Sequence, residues 1–267
     1  MSDEGIGDEL VELVELAVRA AEGAGALLVA RFGAAHDVRT KSSATDPVSD
    51  ADTAAEALLV NTLVAARPDD GLLGEEGADR LGTTGLRWVL DPLDGTVNYL
   101  YGLPGWSVSV ACEAWEDEAW HAMAGAVHDP LRGETFRAAR GLGAHLGARR
   151  LAVNDPVPLS RALVGTGFGY AADTRRRQAK TAARVLGEVR DLRRIGSAAM
   201  DLCLVASGRV DAYYEDSSSR WDWAAGALIV AEAGGVVEPL PAPEGATGVI
   251  AAGPALHGPL LALVRER

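Results

Sequence analysis

The chain has 267 residues, 48% of them hydrophobic, and a formal net charge of −13. That apolar content can bury a large core in one domain or two closely packed halves, and no uncharged apolar run reaches the ~18 residues a membrane-crossing helix needs. The negative balance argues against nucleic acid as a bulk partner, and it sets a problem for any phosphate ligand unless cations intervene.

Residues from about 8 to 32 carry Leu10, Leu13, Val14, Ala17, Val18 and Ala21 at helical spacing, which predicts a first amphipathic helix. The acidic opening MSDEGIGDELVELVELA is unlike the basic start of a signal peptide. Cys112 and Cys203 both lie in apolar contexts. The expectation is therefore buried thiols in a reducing cytoplasm, not a disulfide framework. A second helix starts after Ser49 or Asp50 and runs to the break at Pro68. The stretches GLLGEEG, RWVLD, WSVSVACEAW and AWHAMAGAVHD read as short strands, several linked by turn residues. RALVGTGF is another strand and TRRRQAKTAARVLGEVR a helix, with Arg175, Arg176 and Arg177 on a solvated face. Ser197 caps a helix that ends at Gly208. VDAYYE is a strand, Asp222 to Ala233 a helix, VVEPL and TGVIAAG strands, and PALHGPLLALVRER a final helix. Strands with helices layered between them predict a mixed α/β sandwich. The aromatic residues Trp115, Trp120, Tyr213 and Tyr214 read as core or interface.

The stretch WVLDPLDGTVN is unusual, because an apolar strand runs into two aspartates that straddle a proline. A plain turn is one reading, since Asp-Pro and Asp-Gly both form turns. The other is a metal-binding corner. Pro92 lacks an N–H and holds Asp91 extended, so the strand is expected to end there with the Asp91 carboxylate at its edge. A turn through Leu93 brings Asp94 back beside it, Gly95 gives the backbone freedom, and Thr96 starts a short helix. Hard carboxylates suit Mg²⁺, and free N–H groups at a helix start suit an anion. Glu75-Glu76 ends another apolar strand, and Asp222 stands near a helix start, where a simple cap is the competing reading. The five histidines are scattered, which argues against Zn²⁺, and no GxxxxGK[ST] loop is present for a nucleoside triphosphate.

The motifs GEE (Gly74 to Glu76), DPLDGTVN (Asp91 to Asn98) and WDWAAGALIVAEAGG (Trp221 to Gly235) resemble the inositol monophosphatase family of Mg²⁺-dependent, lithium-sensitive sugar phosphatases. KSSATDPVSDADTAAE, GSAAMDLC and DAYYE extend the resemblance over most of the chain. It implies a layered α-β-α-β-α sandwich, one domain over 1–267 with halves of about 1–150 and 151–267, assembled as a cytoplasmic homodimer. Glu75, Asp91 and the Leu93 carbonyl would hold a first Mg²⁺, and Asp91, Asp94 and Asp222 a second. Asp52 and Lys41 would order metal-bound waters, sometimes around a third, weaker ion. Thr96 with Glu75 would position and deprotonate the attacking water. Gly95 and Thr96 would face the phosphate, Gly196, Ser197 and Ala198 would border the ring, and Glu215 would bind sugar hydroxyls. Tyr99 stands where the family usually has Phe, and Pro156 to Asp173 differ most from the animal enzymes. The implied reaction is hydrolysis of a small polyol phosphate, with myo-inositol monophosphate leading. Histidinol phosphate, fructose bisphosphate and adenosine bisphosphate are the alternatives within the fold. A catalytically idle regulatory subunit is the alternative outside enzymology.

Overall fold

In the computed structural model, residues 3–34, 38–40, 47–242 and 247–266 are described. Lys41, expected to order metal-bound waters, lies outside the described residues. Their helices are α1 (Asp3–Arg31), α2 (Asp50–Ala66), α3 (Thr96–Leu100), α4 (Ala172–Glu188), α5 (Ala198–Ala206), α6 (Arg220–Glu232) and α7 (Pro254–Arg265). Two sheets dominate. The larger has eight strands in the spatial order Arg149–Arg150, Gly143–Leu146, Glu134–Ala139, Ala119–Asp129, Ser107–Glu116, Leu86–Asp94, Gly71–Gly74, Asp79–Arg80. The smaller has five, in the order Asp191–Arg193, Leu163–Thr166, Ala212–Ser218, Thr247–Ala252, Val236–Leu240.

Five layers follow from which faces are apolar. Leu13, Ala17, Ala20, Ala24 and Leu28 of α1, with Leu59 and Leu63 of α2, are buried against Trp88, Val108 and Ala126 of the large sheet. The other face of that sheet, through Val89, Ala111 and Val127, packs on α5 and α6, which carry Leu202, Val205, Ile229 and Val230. Those helices in turn cover Tyr213 and Ala251 of the small sheet. Its far side, at Val164, Tyr214 and Ile250, is closed by Val185 of α4 and Leu256 and Leu260 of α7. An α-β-α-β-α sandwich is the arrangement that leaves both faces of both sheets covered.

Local chemistry sets the helix starts near the future site. Ser49 caps α2, accepting from Ala51 N at 3.2 Å and Asp52 N at 3.4 Å, and the Asp52 carboxylate returns to Ser49 N at 2.9 Å. This reciprocal capping box satisfies donors at the otherwise unpaired helix end. α6 starts two residues earlier than expected, at Arg220, and Asp222 is the third residue of its first turn, accepting from Ser219 N at 2.5 Å. Ser197 caps α5 as predicted.

Two other expectations change. The strand from Leu86 does not stop at Asp91 but continues through Pro92 to Asp94. Asp91 pairs with Ser109 and Asp94 with Ser107, so one extra residue bulges out between them, and Pro92 is spared from donating to the ladder. The strands Glu134–Ala139 and Gly143–Leu146 were not anticipated, because glycines and charges interrupt their alternation. Trp115 is 52% exposed and meets Trp120 edge-on at the end of a hairpin, whereas Tyr213 and Tyr214 are core as read.

Candidate active site

One cavity of about 480 Å³ gathers Glu75, Asp91, Leu93, Asp94, Gly95, Thr96, Gly196, Ser197, Ala198, Glu215 and Asp222. Every described residue that the sequence nominated lies there except Asp52, which stands behind Thr96. The cavity opens where the strand ends of both sheets meet the starts of α3, α5 and α6.

The Asp91–Asp94 bulge builds its floor. Asp91 is buried, and its Oδ1 accepts from Leu93 N at 2.9 Å, which closes the turn. Asp94 reaches the other way: its Oδ2 accepts from Ser197 Oγ and from Ala199 N, both at 2.7 Å, so the first turn of α5 clasps this carboxylate. Gly95 then takes a left-handed backbone (φ 99°) that a side chain would oppose, and a Cβ there would stand 2.8 Å from Gly105 O. The Thr96 hydroxyl donates toward Asp52 Oδ1 at 3.0 Å and Leu93 O at 3.1 Å.

Glu75 enters from the neighbouring parallel strand, its N–H bonded to Leu90 O at 3.1 Å. Its turn is held by a residue that sequence reading assigned no role. The buried Glu56 of α2 accepts from Glu76 N at 2.8 Å and Ala78 N at 2.9 Å. On the other wall, Glu215 Oε2 accepts from the Tyr213 hydroxyl at 2.5 Å. Gly167 leaves the room for it, since a Cβ there would land on the Glu215 carboxylate.

The electrostatics are those of crowded acids. Burial holds the Asp91 carboxyl well above the usual range, and the nearby charges of Glu75, Asp94 and Asp222 push it further. Asp222 is raised by burial, then by Glu75 and Asp94. Burial lifts Asp94 to about 7 against the pull of its Ser197 and Ala199 donors. Glu215 rises to about 7, again by burial first, against the Tyr213 bond. Asp52 is raised more modestly, by burial opposed by Ser49 and Thr96. Like-charged carboxylates sharing one site either keep protons or recruit a cation.

The donor set fits a hard divalent ion. It offers only oxygens, from carboxylates and one carbonyl, all on residues that line the cavity. Among the described residues, no three His, Cys, Asp or Glu side chains are yet drawn closely enough to enclose an ion. Asp201 is an addition that sequence reading missed: it is 1% exposed, lines the same cavity, and its Oδ1 has no hydrogen-bond partner.

Residues 9–267 match the inositol monophosphatase family, which is generally metal-dependent. An inositol-1-monophosphatase SuhB of Mycobacterium tuberculosis is 48% identical over 240 residues, covering 86% of this chain and 81% of that protein. The Nus factor SuhB of Pseudomonas aeruginosa is 40% identical over 232 residues, covering 84% of each. The solved structure of Mycobacterium tuberculosis SuhB superimposes with a TM-score of 0.81 at 42% identity, covering 96% of both chains. Matched over nearly its whole length and sharing close to half its residues with such a relative, the chain belongs to the inositol monophosphatase family.

Proposed function

We propose that the protein is a Mg²⁺-dependent phosphatase of a small polyol phosphate monoester, with myo-inositol monophosphate as the leading substrate. The observation that carries this reading is the convergence of Glu75, Asp91, Asp94 and Asp222 on one cavity beside Thr96. Glu75, Asp91, Asp94, Asp222 and the Leu93 carbonyl would hold two Mg²⁺, with a third, weaker ion ordered through Asp52 and Lys41. Bound there, the ions supply positive charge to the transferring phosphoryl group and lower the pKa of a coordinated water.

The chain's own groups do the rest. The Thr96 hydroxyl spends its hydrogen on Asp52 and Leu93 O, so its lone pairs face outward and orient a water by accepting its hydrogen. Glu75 would accept that water's proton as its oxygen bonds to phosphorus, while the ester P–O bond breaks and the departing alkoxide takes a proton from solvent water. The backbone N–H groups of Gly95 and Thr96 align the phosphate oxygens. Gly196, Ser197 and Ala198 border the substrate ring, while Glu215 accepts from its hydroxyls. An acidic protein manages a phosphate here because cations invert the local field.

The working unit is proposed as one domain acting in a cytoplasmic homodimer. Histidinol phosphate and the sugar and nucleoside bisphosphates are the remaining substrate candidates. The Nus factor name of the Pseudomonas relative favours a second reading, in which the fold serves as a regulatory subunit with or without turnover. Phosphate release from a panel of monoesters, measured with Mg²⁺ and with chelator, tests the proposal. Mg²⁺-dependent turnover led by inositol phosphate supports it, and no release from any ester overturns it in favour of the regulatory reading.

A further inference from the structure

Among the described residues lining the cavity there is one cation, Arg194. It precedes the Ile195-Gly196-Ser197 loop, which is fixed in place: the Asn98 amide donates to Ile195 O at 2.8 Å and to Gly105 O at 2.7 Å. The Arg194 guanidinium folds back over Gly196, for a Cβ on Gly196 would stand 2.6 Å from Arg194 Nη1. Its charge is felt by Asp94, Asp201 and Glu215, and it is absent from every ion pair among the described residues. The fork of N–H donors is thus mounted on a rigid loop at the end of the cavity that also holds two acceptor carboxylates.

We propose that Arg194 is a specificity-determining residue that, together with Glu215, reads adjacent hydroxyls on the substrate ring; this rests on the phosphatase reading above. A guanidinium only donates and a carboxylate only accepts, whereas each hydroxyl does both. A hydroxyl that gives its hydrogen to Glu215 becomes a better acceptor for Arg194, so the two contacts strengthen one another. The alternative guest for an arginine is a second phosphate, which its planar fork also fits. The neighbouring Glu215 and Asp201 oppose that choice, since they leave this end of the cavity with more potential negative than positive charge. The Glu215 carboxylate is also held by Tyr213 and by the gap at Gly167, so it stays on the cavity wall within reach of the Arg194 charge. A vicinal diol satisfies all of these groups without adding charge.

The test compares kcat/KM on inositol 1-phosphate, 4-nitrophenyl phosphate and fructose 1,6-bisphosphate for the wild type, Arg194→Ala, Arg194→Lys, Glu215→Gln and Arg194→Ala with Glu215→Gln, all with Mg²⁺. The expected result is that Arg194→Ala lowers the ratio of inositol phosphate to nitrophenyl phosphate efficiency about ten- to hundredfold. Arg194→Lys is expected to recover only part of it, because one ammonium cannot span two hydroxyls. The double variant should lose less than the product of the two single losses. Equal losses on both monoesters, or independent effects of the two substitutions, would overturn the inference while leaving the phosphatase reading intact. A loss confined to the bisphosphate would overturn it in favour of a second anion site. Failure of the wild type to hydrolyse any ester would remove both.

Discussion

Stripping the metals and raising the pH should destabilise this protein through its own cavity. In the folded chain Asp94 and Glu215 titrate at about 7, against ordinary values of 3.8 and 4.5. A carboxyl whose pKa is raised on folding favours the folded state at low pH, and that contribution is lost as pH climbs through the folded value. Between pH 6 and 8.5 each group therefore withdraws about 1.4 kcal/mol, or about 3 kcal/mol for both. Both side chains border an open cavity, which screens them, so about 2 kcal/mol is the working figure. For a chain of this size that is a fall of about 4–8 °C in Tm. His128 and His257, whose burial lowers their pKa, act in the opposite sense below their ordinary 6.5, so they blunt the further gain that the carboxyls give on the acid side of pH 6. Differential scanning calorimetry in chelator at half-unit steps reads this directly. Millimolar Mg²⁺ should flatten the decline, because the ions replace the protons as counter-charge, and Glu215→Gln should remove about half of it. A flat profile in chelator, or one that Mg²⁺ leaves unchanged, would refute the idea that these acids repel one another across a shared site.

Four further outcomes are expected. Asp91→Asn should nearly abolish Mg²⁺-dependent phosphate release while circular dichroism stays native, and wild-type turnover would remove the two-ion arrangement. Li⁺, with half the charge of Mg²⁺ at similar size, should inhibit in an uncompetitive or mixed manner that depends on Asp94 and Asp222; insensitivity at high millimolar concentration would place this site outside the pattern. Glu215→Gln should lower kcat/KM on inositol phosphate by about ten- to hundredfold, the worth of a hydrogen bond to a charged acceptor, and much less on an ester without ring hydroxyls. Glu113, fully buried between Arg87 and Arg220, anchors the start of α6; Glu113→Ala should cost about 2–3 kcal/mol in denaturant unfolding, and a change below half of that would mean the two arginines are served equally well by solvent.

Much of the site was legible because its residues sit at element ends that short motifs announce. Asp91, Asp94 and Gly95 are packed into one turn, and Ser49 and Ser197 are plain helix caps, so local rules reach them. The same locality explains the misplacement at Pro92, where the dipeptide argues for a strand end and the partner strand supplies a bulge instead. Asp222 read as the start of α6 because its carboxylate does contact the cap, although from one turn inside. Glu56, Asp201 and Arg194 went unassigned for a different reason. Each acquires its role from a segment remote in sequence: Glu56 holds the backbone of Glu76 and Ala78, and Asp201 and Arg194 meet Glu215 only across the small sheet and α5. Amphipathic periodicity marks Asp201 only as a polar residue on an otherwise apolar helix, and what it faces is a property of the assembled layers.

The clasp between Asp94 and α5 also bears on when the cavity comes into being. Asp94 finds Ser197 Oγ across 103 positions of chain and Ala199 N across 105, whereas most of the large sheet is built from hairpins between successive strands. Nearby pairings close at little entropic cost and distant ones only after much of the chain is ordered. A polypeptide emerging in order can therefore complete its first sheet while Glu75, Asp91 and Asp94 are still ordinary acids at a solvated edge. Only the docking of the second sheet on α5 and α6 turns that edge into a chamber, so a cavity that gathers all of these carboxylates exists only in the finished assembly.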